Sequence, residues 1–62
     1  MTYAVWELRT AQNMTLRQLE EKSGVSKSQI NDIENGKGNP TVDTLELLAA
    51  ALKVELTELF RV

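Results

Sequence analysis

The sequence contains neither cysteine nor histidine. These two absences exclude disulfide frameworks, thiolate or imidazole metal sites, cysteine or histidine nucleophiles, and a Ser-His-Asp triad. The carboxylates that remain are scattered along the chain, with no base or metal ligand to pair them. We therefore expect a protein that is not an enzyme and that has neither a cofactor nor a small-molecule ligand.

Long hydrophobic runs are also missing. The longest apolar run, Leu47 to Leu52, is far too short to span a bilayer, and the first residues lack the pattern of a signal peptide. A chain of 62 residues is near the lower size at which a hydrophobic core alone is sufficient for folding. The sequence predicts a single domain over residues 1–62, cytoplasmic and without membrane contact.

The sequence also lacks an excess of basic residues. The net charge is −2 and the isoelectric point is about 4.9, whereas nucleic-acid-binding domains are usually basic. Residues 1–40 carry as many basic as acidic side chains, so the net negative charge comes from residues 41–62. If the N-terminal part faces DNA, the electrostatic contribution to binding is expected to be small.

The clearest organisation lies in residues 15–36, which predict two short helices joined by a tight corner. Thr15 and Ser26 are each followed three residues later by a glutamine, Gln18 and Gln29. In this spacing the hydroxyl accepts from an early helical N–H, and the amide side chain reaches back to the cap residue. Both helices are therefore predicted to begin with a capping box.

Two apolar pairs and one glycine define the corner. Met14 with Leu19 and Val25 with Ile30 have the spacing of a hydrophobic staple, which constrains the angle at which the chain enters each helix. Gly24 can take a positive φ after the last turn of the first helix. Two helices joined this closely must cross steeply.

Apolar periodicity predicts three more helices. In chain order, the five predicted helices are residues 3–12, 16–23, 26–35, 42–52 and 56–60. Asn13 is expected to close helix 1 in the left-handed conformation. Lys53 follows helix 4 at a position where glycine normally permits a left-handed turn, which implies a strain of about 1 kcal/mol. Gly36 ends helix 3, and Thr41, after Pro40, is the predicted cap of helix 4.

These features resemble those of a known family. The run Ile30-x-x-Ile33-Glu34-Asn35-Gly36-Lys37 stands together with Asn39-Pro40-Thr41 and the terminal Glu58-Leu59-Phe60. Over nearly its whole length the chain resembles the helix-turn-helix domains of lambda-repressor-like, Cro-type and xenobiotic-response-element-type regulators. The resemblance implies an all-α, compact five-helix DNA-binding domain whose helix-turn-helix is formed by helices 2 and 3. It also implies a transcriptional regulator, expected to be a repressor.

Helix 3 is the expected reading element. With Ile30 and Ile33 facing inward, five polar side chains face out: Lys27, Ser28, Gln29, Asn31 and Asp32. In helix-turn-helix docking, the second helix enters the major groove and its early residues contact base edges. Lys27 suits guanine, Gln29 or Asn31 suits adenine, and Asp32 can only accept, for example from cytosine N4. The alternative is an ordinary solvated helix face.

Two groups of residues are expected to contact DNA phosphates without reading sequence. The first lies at the start of helix 2 and the second follows helix 3: Thr15, Leu16 and Arg17, then Asn35, Lys37 and Gly38. Leu16 offers only its backbone N–H and the helix dipole. The resemblance further implies that Arg9 is a partly buried partner of Glu34, pinning helix 1 to helix 3; the alternative is a solvated arginine.

Several positions depart from the family pattern. Leu16 stands where a phosphate-binding glutamine is frequent, and Asp32 where arginine is frequent. Glu20 stands where a small residue allows close approach of helices 2 and 3, so its stem must bend outward or spread the pair. Ser23 replaces an aliphatic residue, which shrinks the core. With the net charge, these departures motivate an alternative function: a protein-interaction module, antitoxin-like or anti-repressor-like, that kept the fold with weak DNA affinity.

A homodimer on a palindromic operator in duplex DNA is expected. One short recognition helix reads only a few base pairs, so useful specificity normally needs two half-sites about one helical turn apart. The exposed side of the fifth helix is one candidate for the dimer contact. Trp6, with Tyr3 on the adjacent turn, is another; its alternative role is an aromatic that covers the rim of the core.

Overall fold

The structure is a computed structural model that describes residues 2–61, with side chains described for residues 3–60. Four α-helices follow one another in this part of the chain, flanked by short strands and followed by a single 3₁₀ turn. Their bounds are β1 Thr2–Tyr3, α1 Val5–Ala11, α2 Leu16–Ser23, α3 Lys27–Glu34, α4 Val42–Leu52, the 3₁₀ helix Leu56–Leu59 and β2 Phe60–Arg61. Within residues 2–61 no helix is long and apolar enough to cross a membrane.

The cap at the start of α2 is the predicted capping box. The N–H of Gln18 donates to Thr15 Oγ1 at 3.1 Å, and the N–H of Thr15 donates to Gln18 Oε1 at 2.8 Å. At the start of α3 only half of the predicted box forms. The N–H of Gln29 donates to Ser26 Oγ at 3.2 Å, but the side chain of Gln29 does not reach back. The prediction of a second capping box is therefore wrong, because the Ser26 N–H does not donate to the Gln29 side chain.

A left-handed residue lies at or just after the end of each of the four helices, and after α3 it is Gly36, with φ 73°. Gly24 closes α2 with φ 79°, and its N–H donates to the carbonyl oxygen of Glu20 at 2.9 Å. Asn13 after α1 and Lys53 after α4 take φ values of 55° and 59°, as predicted. Lys53 carries a Cβ in this region of φ and ψ, which costs about 1 kcal/mol relative to glycine.

The core forms where α2 packs against α3 and α4, and α1 and the 3₁₀ helix cover its ends. Its buried members come from every one of these elements and from the loops before α2 and α3: Val5, Met14, Leu19, Val25, Ile30, Ile33, Leu45, Leu48, Ala49, Leu52 and Leu59. Both predicted staple pairs are among them. Each fully buried leucine or isoleucine contributes about 1.5–3 kcal/mol relative to an exposed one.

The predicted fifth helix is wrong. Residues Leu56–Leu59 form one 3₁₀ turn, and Phe60 lies in β2, which pairs antiparallel with β1 so that Tyr3 faces Phe60. The N–H of Ala4 donates to the carbonyl oxygen of Leu59 at 2.8 Å, and the rings of Tyr3 and Phe60 lie 5.9 Å apart. This pairing takes Tyr3 out of the predicted first helix, which begins at Val5, and it adds a short strand pair to an otherwise helical fold.

An ion pair joins α1 to the end of α3. Arg9 Nε donates to Glu34 Oε2 at 2.7 Å and Arg9 Nη2 donates to Glu34 Oε1 at 3.1 Å, so the contact is bidentate. Arg9 Nη1 also donates to the carbonyl oxygen of Met14 at 2.8 Å. The side chains are only 11% and 6% exposed, respectively. Arg9 therefore ties α1, the loop before α2 and α3 together, as the family resemblance implied.

Arg9→Ala is expected to lower the free energy of unfolding by about 3 kcal/mol, because it leaves the Glu34 carboxylate buried without its partner. Arg17→Ala is the matched control, since Arg17 pairs with Glu21 at 3.3 Å with side chains 82% and 65% exposed. Its loss should stay within about 0.5 kcal/mol. Urea unfolding followed by circular dichroism measures both; equal losses would contradict a stabilising role for the buried pair.

Candidate nucleic-acid interface

One side of α3 faces the core and the other faces solvent. Ile30 and Ile33 are 0% and 3% exposed, whereas all five predicted base-reading residues are exposed: Lys27, Ser28, Gln29, Asn31 and Asp32. Because residues three and four apart share a helix face, burying the two isoleucines fixes this division. The sequence-predicted polar face is therefore present as one continuous surface.

Most of these exposed side chains have no internal partner. Among the side chains of residues 3–60, those of Lys27, Ser28, Gln29 and Asp32 make no hydrogen bond or ion pair. Asn31 is the exception, because Asn35 Nδ2 donates to the carbonyl oxygen of Asn31 at 2.8 Å and to its Oδ1 at 3.3 Å. The surface thus offers an ammonium, a hydroxyl, two carboxamides and a carboxylate to an external ligand.

The predicted phosphate contacts at the start of α2 differ in what they can offer. The Thr15 hydroxyl oxygen accepts as the helix cap, which leaves its O–H able to donate, and Leu16 is half-buried against the core. Arg17 extends into solvent beside Glu21. The backbone N–H groups of Leu16 and Arg17 are in the first turn, where they lack an intrahelical acceptor and lie at the positive end of the helix dipole.

The loop after α3 is shaped by two left-handed glycines. Gly36 and Gly38 take φ values of 73° and 76°, and the N–H of Lys37 donates to the carbonyl oxygen of Asp32 at 2.7 Å. The Lys37 side chain remains exposed. Asn35, by contrast, already uses its amide nitrogen on Asn31, so a phosphate contact from Asn35 requires that bond to rearrange or to be shared.

Two clefts beside α3 are lined by some of the predicted residues, but Thr15, Arg17, Lys27 and Ser28 line neither. A cleft of about 540 Å³ joins the start of α2 to the end of α3, and its lining includes Leu16, Asn31 and Asn35 together with Trp6 and Tyr3 of the N-terminal region. A smaller cleft of about 180 Å³ joins α3 to the following loop through Gln29, Asp32, Lys37, Gly38, Ile33, Asn39 and Pro40. Leu16 and Asn35, one from each predicted phosphate group, thus share the larger cleft, whereas Lys37 and Gly38 line the smaller one.

The exposed charges on and around α3 are of both signs. Arg17, Lys27 and Lys37 are exposed there, and so are Glu21 and Asp32. The described residues include no group of three or more acidic side chains that could hold a metal ion. The surface is thus suited to directional hydrogen bonding with a polar ligand and has little excess positive charge to attract an anion over a distance.

Residues 7–59 match the helix-turn-helix family, a span that contains α2, the corner at Gly24 and α3. The chain belongs to the helix-turn-helix family. Helices α2 and α3 are the two helices of this motif, as the sequence predicted.

Two relatives of this helix-turn-helix domain are transcriptional regulators of Bacillus subtilis strain 168. RghRB is 51% identical over 49 residues, which cover 77% of this chain and 35% of that protein. SlrR is 47% identical over 53 residues, which cover 84% of this chain and 35% of that protein. The chain therefore spans about a third of the length of these two relatives.

A solved structure shares the fold of the helix-turn-helix domain. The restriction-modification controller protein C.AhdI from Aeromonas hydrophila superposes with a TM-score of 0.87 at 36% sequence identity. The superposition covers 90% of this chain and 85% of that chain. These relatives are regulators, which agrees with the expectation that the chain is not an enzyme.

Two polar side chains at the helix-turn-helix corner have roles that the sequence did not reveal. Ser23 is buried, and its Oγ accepts from the N–H of Val25 at 3.1 Å. Glu20 Oε2 accepts from the N–H of Lys27, the first residue of α3, at 2.9 Å. The sequence shows a carboxylate on α2 seven residues before the start of α3. Whether this carboxylate contacts the Lys27 N–H depends on how the corner between the helices folds.

Proposed function

We propose that this chain is a sequence-specific DNA-binding domain of a transcriptional regulator and that α3 lies in the major groove of duplex DNA. The observation that carries the proposal is the exposure of five polar side chains on α3 opposite two buried isoleucines. A helix fits the major groove, where each base pair presents a distinct pattern of donors and acceptors. We also propose that the domain acts in the cytoplasm, in contact with that DNA.

The exposed polar residues of α3 differ in the bases that their side chains can contact. Lys27 donates to guanine O6 and N7, and Gln29 or Asn31 contacts adenine through N6 and N7. Ser28 is compatible with several base edges, and Asp32 accepts from cytosine N4. The free side chains of Lys27, Ser28 and Gln29 occupy the first turn of α3, which is the part of a recognition helix that contacts bases.

Phosphate contacts position the domain. The backbone N–H groups of Leu16 and Arg17 face one strand with the Arg17 guanidinium, and Thr15 supports them as the cap of α2. On the other side of α3, Lys37 and the backbone of Gly38 contact a second stretch of backbone, with Asn35 in addition once its bond to Asn31 is released. A domain bound in this way represses transcription simply by occupying the DNA.

Lys27→Ala and Lys37→Ala separate the two roles. Lys27→Ala should weaken binding to the preferred site by about 1–3 kcal/mol and relax the base preference, whereas Lys37→Ala should weaken all sequences alike. Lys53→Ala is the control, because Lys53 lies at the end of α4 and lines neither cleft. Affinities for a selected site and for random duplex DNA measure these effects; equal effects of both variants on both DNAs would contradict the role of α3.

Salt dependence tests DNA binding itself. The two exposed cations assigned to phosphates, Arg17 and Lys37, predict a slope of about −1.8 for log affinity against log salt concentration, and about a 12-fold loss between about 50 and 200 mM salt. Arg17→Ala should reduce the steepness by about one. Fluorescence anisotropy with random duplex DNA measures the slope, and absence of binding at low salt would contradict the proposal.

The second candidate function is a protein-interaction module, antitoxin-like or anti-repressor-like, with weak DNA affinity. The observations that favour it are the half-buried Leu16 at a phosphate position, the unpaired carboxylate of Asp32 on the reading face, and the net charge of −2. Failure to bind any duplex DNA at low salt, in a folded protein, would favour this candidate over the first.

We further propose that the domain acts as a homodimer on two half-sites, because one short helix reads few base pairs. Two exposed aromatic side chains mark the candidate contacts: Trp6 on α1, 54% exposed, and Phe60 on β2, 43% exposed. Sedimentation velocity should show a dimer at high micromolar concentration, and Trp6→Gln or Phe60→Gln should dissociate it, depending on which surface pairs. A parent chain that remains monomeric both with and without DNA would contradict the dimer.

A further inference from the structure

The start of α3 is held by a side chain of another helix. The first three backbone N–H groups of α3, those of Lys27, Ser28 and Gln29, lack intrahelical acceptors. The N–H of Gln29 donates to Ser26 Oγ at 3.2 Å, within the same turn. The N–H of Lys27 donates to Glu20 Oε2 at 2.9 Å, and this acceptor comes from α2, across the corner.

Glu20 joins the two helices of the motif through both of its ends. Its backbone carbonyl oxygen accepts from the N–H of Gly24 at 2.9 Å and so closes α2. Its side-chain carboxylate accepts from the N–H of Lys27, the first residue of α3. Hydrogen bonds to a carboxylate are stronger than those between neutral groups, and a negative charge is favourable at a helix N-terminus. The bond therefore restricts the placement of the first turn of α3 against α2.

The same bond decides what the N-terminus of α3 can bind. A helix start with unoccupied N–H groups attracts phosphates. In this domain the Lys27 N–H is already used by an internal carboxylate, whose charge also repels a phosphate. Of the three N–H groups, only that of Ser28 has no acceptor among the described residues, and the side chains of Lys27, Ser28 and Gln29 also remain without internal partners.

We infer that Glu20 is a positioning residue for α3 and that it increases the discrimination between a preferred site and random DNA. This inference rests on the proposed function and adds a residue outside the reading face to it. The carboxylate has two separable effects. Its charge lowers affinity for all DNA alike, whereas its role as acceptor holds the reading side chains in place and excludes a phosphate from the Lys27 N–H.

Two substitutions separate these effects. Glu20→Gln removes the charge but keeps an oxygen that can accept from the Lys27 N–H, and Glu20→Ala removes both. Both variants should bind random duplex DNA more tightly than the parent chain. Only Glu20→Ala should lower the ratio of affinities for a selected site and random DNA, by about five- to ten-fold, the low end of the discrimination that one good base contact provides.

Glu46→Ala is the control for charge. Glu46 is exposed on α4, so its removal changes the net charge equally without touching α3. The affinity ratio should remain that of the parent chain. Hydrogen exchange of the Lys27 amide, measured by NMR, gives a second readout: exchange should accelerate in Glu20→Ala and stay slow in Glu20→Gln, with thermal melts confirming that both variants are folded.

The outcomes distinguish this inference from the proposed function. A parent chain that binds no DNA overturns the proposed function, and this inference with it. A parent chain that discriminates, together with a Glu20→Ala variant that keeps the parent ratio, overturns this inference alone. Loss of the ratio in Glu20→Gln to the same extent as in Glu20→Ala also overturns it, because the retained acceptor would then have no effect.

Discussion

Burial of Ile30 and Ile33 sets the rotation of α3 about its own axis, and the reading face exists because of that rotation. Each isoleucine contributes about 1.5–3 kcal/mol by leaving water. Turning the helix over would expose both side chains and bury Lys27, Asn31 or Asp32 without partners, which adds a desolvation cost. The net stability of a domain this small is only a few kcal/mol, so the inverted arrangement is not populated.

A glutamate carboxylate accepts hydrogen bonds at each end of α3, but one of these glutamates belongs to α3 and the other to α2. At the C-terminal end, Glu34 of α3 itself receives two hydrogen bonds from Arg9 of α1. At the N-terminal end, Glu20 of α2 receives the first N–H of α3. Together with the central isoleucines, these contacts determine the rotation, the tilt and the axial position of the helix. A reading element needs all three, because base edges are recognised by directional hydrogen bonds.

The charge of the domain is compatible with a DNA-binding domain whose affinity depends on contacts with particular bases. Glu20 and Asp32 place negative charge near α3, and the cations on the surface are few and dispersed. In the proposed function, such a surface gains little from phosphate attraction, so random DNA is bound weakly. Discrimination then depends on how well the side chains of α3 match the bases, and the proposed second copy on an adjacent half-site would supply the affinity that one domain lacks.

The sequence alone determined those features that depend on residues close together in the chain. The bounds of α2 and α4, the capping box at Thr15 and the outward face of α3 follow from spacings of three or four residues, and the structure has them as predicted. Tertiary structure decided the rest. Tyr3 leaves the first helix because Phe60, at the opposite end of the chain, pairs with it, and Glu20 begins α3 because the corner brings the two helices together. Local periodicity does not record such contacts, since the partners become neighbours only after the chain has folded.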